Sequence, residues 1–366
     1  MKLCVDLRYA NDHFPGIGRM VTALTHEFAH HPAIDQLDLL INPHNHNSYL
    51  TIPPASAHIR HQLLTAPPFS LAEAWQIRRI IATTQADWFY TPYVRIPFIP
   101  IPSKLLVTIH DVIPLTTPAP WWVQIGLRAA LTLVSFRATA ITSVSPHAVQ
   151  QIMAQLWPAR PIHVIPNGVA EQFFDQSPQT QPLPAAITGP FCLCVSSNQP
   201  HKNLAVLVEA WAQAYTSGRI PAHSQLVLVG KFSPHRPQPW NDIRYQHIPI
   251  VVIATPNDAV LASLYRHATL FVLPSLAEGF GLPLVEAMAS RLPIICHPHP
   301  AITAVVGTAA ITCDMHHPTQ LADEIALLWH DTTRQQQLRD AGSHQAQQFR
   351  WHTAADAYVQ LMQSYS

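Results

Sequence analysis

Charge is scarce in this sequence. Only 11% of its 366 residues are Asp, Glu, Lys or Arg, and 21 basic side chains balance 21 acidic ones. A chain of zero formal net charge has no electrostatic footprint for nucleic acid, so that class of partner is set aside. Cysteine is sparse as well. Cys4, Cys192, Cys194, Cys296 and Cys313 form an odd set with no C-x-x-C pair. That argues against a disulfide framework or a zinc ribbon and fits a reducing compartment. Cys192 and Cys194 alternate on an apolar run, which places both on one buried face. No apolar run is long enough to span a bilayer: the longest, Trp121–Phe136, is interrupted by Gln124 and Arg128. Met1-Lys2 leads directly into a strand pattern with no leader-like segment ahead of it. The expected location is therefore cytoplasmic, extending to the inner face of the membrane.

Several chemistries lack their motifs. The sequence holds no H-E-x-x-H, no Walker A and no G-x-S-x-G elbow. It also holds no Asp-x-Asp to grip a diphosphate through a metal. His297/His299 and His316-His317 are paired histidines without a ligand set and read as surface residues, so no metal site is expected. Histidine is abundant at 23, which lets net charge swing between pH 5 and 7, but the count reads more readily as compositional drift.

What is present is an alternation of short apolar runs with helix-length segments, the pattern of an α/β fold with parallel sheets. At 48% apolar, the chain can fill the cores of two domains of ordinary size. Strand expectations in the first half are Leu3–Leu7, Leu37–Ile41, Leu105–Ile109, Ala140–Val144 and His163–Ile165. In the second half they are Phe191–Val195, Gln225–Val229, Ile250–Ala254, Leu270–Leu273 and Pro293–Cys296. A polar, proline-rich stretch, Ser177–Pro184, reads as an interdomain linker and puts the boundary near residue 180.

The most informative segment runs from Pro274 to Met288. Glu278 and Glu286 flank Gly279-Phe280-Gly281-Leu282, and Pro283 suits a helix start. Gly279 and Gly281 allow positive φ and close approach of a ligand. The N-terminus of the helix that follows is an anion site, because free N–H groups and the helix dipole point the same way. The bland alternative is a capped strand–turn–helix connection, and both carboxylates at this spacing argue against it.

Other motifs also fall just after strands, where open α/β sheets bind ligands. Pro200-His201-Lys202-Asn203 precedes an amphipathic helix, Leu204–Tyr215. A lysine at a helix start opposes the dipole, a conflict that a phosphate between Lys202 and the glycine loop would resolve. Gly16-Ile17-Gly18-Arg19 reads as a loop opening a helix over Met20–His30, and it is a weak dinucleotide fingerprint because Val21 takes the third glycine position. His110-Asp111 ends a strand. Asp111 reads as a cap or an orienting group, and a buried structural histidine is the competing reading of His110.

The E-x7-E segment resembles the signature of retaining, nucleotide-sugar-dependent glycosyltransferases of family 4. The likeness extends to Asp258–Ala268 before it, Arg291–Ile295 after it and the closing Phe349-Arg350-Trp351. It is strong in the C-terminal half and thin before residue 100. The resemblance implies a GT-B fold: two Rossmann-like domains facing a central cleft, with the last helix crossing back. On that basis residues 1–178 form an acceptor-side domain, 179–352 the nucleotide-sugar domain and 353–366 the returning helix. It implies that Lys202, Gly16, Gly18, Arg19, Gly279, Phe280, Gly281, Leu282 and Glu286 bind the donor. The catalytic set it implies is Glu278, Lys202 and His110, with Glu286 expected on the ribose and Glu278 on the transferred sugar. No cofactor is implied beyond a nucleotide diphosphate sugar as co-substrate, GDP-mannose ahead of UDP-sugars. The implied acceptor is a glycan or a lipid-linked glycan in cell-surface polysaccharide synthesis, and metal is not required. A GT-B-fold nucleotide-sugar epimerase and a non-catalytic nucleotide-sugar binder are the alternatives. The chain departs from the family pattern at Ser196 and Ser197, where a basic residue is usual, at His201, where Arg is common, and at Ala304, where Glu is frequent. Trp121-Trp122-Val123 and the apolar helix after it, with Arg128 and Arg137, read as core before they read as a membrane-contacting surface.

Overall fold

A computed structural model describes residues 1–8, 15–43, 51–68, 70–155, 159–175 and 181–365. Part of the expected linker, residues 177–180, lies outside the described residues. Contacts divide the chain into two units, Met1–Gly168 with Arg350–Ser366, and Val169–Phe349.

The first unit contains β1 (Lys2–Asp6), α1 (Pro15–His30), β2 (Gln36–Ile41), β3 (Ile59–Leu63), α2 (Leu71–Thr84), β4 (Trp88–Thr91) and β5 (Lys104–Ile109). It continues with α3 (Ile113–Thr116), α4 (Trp121–Arg137), β6 (Ala140–Ser143), α5 (Pro146–Gln155) and β7 (Ile162–Val164). Its seven strands lie in the order β3-β2-β1-β4-β5-β6-β7, all parallel. The second unit contains β8 (Phe191–Val195), α6 (Leu204–Thr216), β9 (Gln225–Val229), β10 (Ile250–Ile253), α7 (Asp258–His267), β11 (Leu270–Leu273) and α8 (Leu282–Ala289). After these come β12 (Ile294–Cys296), α9 (Pro300–Val306), β13 (Ile311–Thr312), α10 (Pro318–His330) and α11 (Thr332–Ala346). Its six strands run β10-β9-β8-β11-β12-β13, again all parallel.

Parallel strands joined by helices are covered on both faces, which is why the central strands are near-continuous apolar runs. Every residue of β9 and β11 is buried. Cys192 and Cys194 are buried on β8 as the alternation predicts, and all five cysteines are free and buried. Burial pushes the Cys194 thiol up to about 12, which leaves it an inert apolar group. In each sheet the first strand of the unit sits between two later ones, β1 between β2 and β4, and β8 between β9 and β11. These are the switch points at whose carboxyl ends open α/β sheets take ligands.

Three strands were not anticipated. β3 reads Ile-Arg-His-Gln-Leu, polar and at a sheet edge, and β4 and β13 are only four and two residues long. The start of α1 also differs from expectation. The helix begins at Pro15, so Gly16-Ile17-Gly18-Arg19 is its first turn and not a loop. Proline is pre-set for that end of a helix, and neither glycine adopts positive φ.

The last helix, α12 (Trp351–Gln363), belongs to the first unit. The Tyr358 ring packs against Phe28 and Tyr90 at 6.3 and 5.3 Å between centroids. Its hydroxyl lies 3.0 Å from Thr108 Oγ1, which also meets the Tyr90 hydroxyl and Thr142 Oγ1. Four buried hydroxyls thus satisfy one another inside the sheet–helix interface. The Lys104 ammonium donates to the Tyr365 carbonyl at 2.6 Å and fastens the segment after α12. Where α12 begins, the chain passes so close to Gly168 that a Cβ there would lie 2.4 Å from Trp351 N, so this site accepts only glycine.

The helix expected to be core is core on one face only, where Leu127, Ala130 and Leu133 join Leu131 and Val134. On α4 only Leu131, Val134 and Ser135 are buried. Trp121, Trp122, Ile125 and Phe136 are 68%, 61%, 57% and 74% exposed. Among the described residues no helix is long and apolar enough to cross a membrane.

Candidate functional site

Lys202 and Glu278 are 76 residues apart in sequence and meet because β8 and β11 are neighbours. Both strands run the same way, so the segments that follow them emerge at one edge. After β8 the chain makes a short 3-10 turn, Pro200–Lys202, and Asn203 at φ 53° starts α6. After β11 the chain runs through Ser275–Gly281 into α8. The Leu276 amide donates to the His201 carbonyl at 2.8 Å and holds the two loops together. The Lys202 ammonium then donates to Glu278 Oε1 at 2.7 Å, with the side chains 20% and 9% exposed. The conflict between Lys202 and the α6 dipole is thus answered by a carboxylate, where the sequence reading supplied a phosphate. Such a pair is costly to desolvate, and losing one member leaves the other uncompensated.

The N-terminus of α8 forms the rest of this edge. Gly281 takes φ 91°, a left-handed conformation that costs any other residue strain. Gly279 does not adopt positive φ, so only one of the two glycines is needed for its conformation. The Phe280, Gly281 and Leu282 amides have no acceptor among the described residues. They are the donors an anion would meet. The Phe280 side chain is buried against Phe349, 5.7 Å between ring centroids, which leaves its amide as the part that can reach a ligand.

Glu286 lies one turn into α8 and is buried, and its Oε2 accepts a hydrogen bond from the Tyr265 hydroxyl at 2.8 Å. Tyr265 comes from α7 and was not singled out from sequence, where it reads as one apolar position of an amphipathic helix. Asn203 was likewise passed over. Its Nδ2 donates to the Met315 carbonyl at 2.7 Å and ties the Lys202 turn to the loop after β13.

His201 is held neutral, its pKa pushed down to about 4 by burial and then by the neighbouring Lys202 charge. Ser196 and Ser197 bring no cation. The Ser196 carbonyl lies so near Gly230 that an added Cβ would sit 1.8 Å from it, so β8 and β9 end in close contact. Ala304 is exposed on α9.

In the first unit His110 follows β5 and leans on the end of β4. Its Nε2 donates to the Pro92 carbonyl at 2.8 Å. A carbonyl can only accept, so the proton is on Nε2 and Nδ1 is left as an acceptor. Burial pushes this imidazole down to about 4, keeping it neutral at physiological pH. Asp111 Oδ1 accepts from the Ile113 amide at 3.0 Å, at the start of α3. Gly16 is exposed with open space where a Cβ would be, Gly18 is buried and Arg19 is half-buried. The first turn of α1 carries no acidic residue, so nothing on that turn competes with an anion.

Residues 16–173 match the family described as Glycosyltransferase Family 4, and residues 189–331 match Glycosyl transferases group 1. The chain belongs to glycosyltransferase family 4. Among curated relatives of this family 4 chain, the O-antigen chain mannosyltransferase B of Escherichia coli is 28% identical over 169 residues, covering 44% of this chain and 42% of that protein. The MMP alpha-(1->4)-mannosyltransferase of Mycolicibacterium hassiacum is 30% identical over 199 residues, 53% of this chain and 46% of its own. The chain thus spans less than half the length of these relatives. Among solved structures, Anabaena HepE in complex with UDP and glucose superposes with a TM-score of 0.77 at 18% identity, covering 100% of both chains. The sucrose-phosphate synthase of Thermosynechococcus elongatus gives 0.74 at 18%, covering 100% of this chain and 99% of that one. At such identities the likeness is one of fold: the two parallel sheets described above are those of a GT-B protein.

Proposed function

We propose that this family 4 chain is a retaining glycosyltransferase that moves a hexosyl group from a nucleotide diphosphate sugar to a hydroxyl of a glycan acceptor. The observation that carries the proposal is the Lys202–Glu278 pair beside the unaccepted amides of the α8 N-terminus. A diphosphate binds those amides and draws Lys202 to itself, because charge-assisted bonds to phosphate are the stronger kind. Glu278 is thereby released to accept from hydroxyls of the transferred sugar. Glu286, oriented by Tyr265, accepts from the ribose hydroxyls. In the first unit, His110 offers Nδ1 to a sugar hydroxyl, and Arg19 with the α1 amides offers positive charge.

In the transfer itself, the bond from the anomeric carbon to the leaving phosphate oxygen breaks and a bond to the acceptor oxygen forms on the same face. The acceptor proton passes to the departing phosphate oxygen, so no side chain is required as base and metal is not required. Preorganised amides and Lys202 stabilise the charge that develops on the diphosphate, a term often worth about 3–4 kcal/mol per donor. The named mannosyltransferases among the relatives favour mannose, and GDP-mannose ahead of UDP-sugars, as donor. Polysaccharide synthesis with a lipid-linked acceptor is the setting we favour. The exposed Trp121, Trp122, Ile125 and Phe136 on α4, which has two arginines and no acidic residue, fit a peripheral contact with an anionic membrane surface.

The experiment is to measure transfer and donor binding separately in Glu278→Ala. Transfer from GDP-mannose falls by about two to three orders of magnitude, the scale of losing one preorganised group. Binding of GDP stays equal or tightens, because Lys202 is no longer claimed by a carboxylate. Transfer at the wild-type rate in this variant sinks the assignment, and epimerisation of the donor without acceptor points to a different enzyme class.

A further inference from the structure

The paired histidines that read as unrelated surface residues are brought together by β12 and β13. These strands are parallel neighbours with Cys296 opposite Thr312, so His297 after one and Asp314 after the other leave the sheet side by side. His316 follows two residues on. One ligand atom each from His297, Asp314 and His316 lie within 4.8 Å of one another.

The loop is ordered by its own bonds. Met315, between Asp314 and His316, is held on both sides: its amide donates to His297 Nδ1 at 3.3 Å and its carbonyl accepts from Asn203 Nδ2 at 2.7 Å. Asp314 Oδ1 accepts from the His316 amide at 3.0 Å and lies 2.7 Å from His316 Nδ1. His317 Nε2 stands 3.6 Å from Asp314 Oδ2. A carboxylate against an imidazole is the pairing that orients histidines at metal centres. Groups already held near one another give up less freedom on binding than side chains gathered from a disordered surface.

From this juxtaposition we propose that His297, Asp314 and His316 bind a divalent transition-metal ion. Two imidazoles and one carboxylate select a borderline ion such as Zn²⁺ or Co²⁺ over Mg²⁺ or Ca²⁺, which take oxygen ligands. Three protein ligands leave a fourth position to water. The ion takes a lone pair from one ring nitrogen of each histidine, so a ring proton shifts to the other nitrogen or leaves to solvent, and binding tightens as pH rises. Cys313 adjoins the site but is buried and its thiol is pushed up to about 11 chiefly by that burial, so it is not counted among the ligands. The existence of this site does not depend on the proposed transfer reaction.

The test is calorimetric titration of the full chain with Zn²⁺ and optical titration with Co²⁺. The expected result is one ion per chain, no comparable uptake of Mg²⁺, and affinity at least about tenfold weaker in both His297→Ala and His316→Ala. His352→Ala, at an exposed residue on α12, binds as wild type and accounts for background affinity of a histidine-rich surface. His316 is 58% exposed, so His316→Ala keeps the test valid if His297→Ala unfolds, and a thermal melt reports on both. No uptake of Zn²⁺ by the wild-type chain, or uptake by both variants equal to that of the wild type, overturns the proposal, as does a preference for Mg²⁺.

Discussion

The two units share an architecture and differ in how their working surfaces are made. In the second unit, polar groups from different segments meet: Lys202 neutralises Glu278 after two neighbouring strands, and Tyr265 on α7 donates to Glu286 on α8. In the first, His110 leans on a backbone carbonyl, and α4 exposes large apolar side chains. The second arrangement is read from local motifs, because a glycine turn after a strand fixes where its neighbours go. The first depends on what packs against what, which no local pattern states.

That contrast can be pressed hardest at Lys202. Lys202→Ala removes the cation facing the α8 amides and leaves Glu278 uncompensated, so affinity for a nucleoside diphosphate falls by about 10- to 100-fold, the range of one to two charged hydrogen bonds. Calorimetry with GDP and with guanosine checks this: the nucleoside, lacking phosphate, loses little. Equal losses for both would move the phosphate away from Lys202. Gly281→Ala tests the turn itself. The added Cβ meets the movable end of Leu284 at 2.9 Å, so the left-handed φ of 91° dominates and costs roughly 1–3 kcal/mol of unfolding free energy. Gly279→Ala, with no such φ, costs less, and urea unfolding of the two variants separates them.

On the first unit the corresponding lever is α4. Replacing Trp121 and Trp122 together by Ser lowers binding to anionic vesicles by about tenfold while stability changes by no more than about 0.5 kcal/mol, as befits exposed positions. A large loss of stability with unchanged vesicle binding would return the helix to a packing role. The smallest effect is electrostatic. His110 and His201 have folded-state pKa values near 4 against an ordinary 6.5. The unfolded chain therefore binds more protons between those values. The stability this contributes is fully present above about pH 6.5 and is lost as pH falls toward 4. Melting temperatures from pH 7.5 to 5 should fall less steeply in His110→Asn than in the wild type, and identical slopes would remove His110 from the account.

The fold class and most central strands were legible because covered parallel strands are unbroken apolar runs, as in β8, β9 and β11, whose expected limits match those observed. β3 and β13 escaped because a half-exposed edge strand and a strand of two residues carry too little pattern, and β4, a buried Trp-Phe-Tyr-Thr run as long as β11, was passed over. Gly16-Ile17-Gly18-Arg19 was read as a loop because glycine usually punctuates helices, and Pro15 at the helix start outweighed it. Of the site, Lys202, Glu278 and the glycine turn were legible, whereas Tyr265 and Asn203 were not. Both act through a neighbour that the sequence leaves far away. Their partners, Glu286 and the Met315 carbonyl, lie 21 and 112 residues on.

The position of α12 has a consequence for how this chain folds during synthesis. The first unit is completed by residues that follow the second unit in sequence, and Tyr358 closes a cluster formed by Phe28, Tyr90, Thr108 and Thr142. Until α12 leaves the ribosome, that apolar face and its hydroxyls stay uncovered. The second unit, continuous from Val169 to Phe349, can close its core first. Domains ordinarily fold in the order they are made. In this chain the unit begun first is the one finished last.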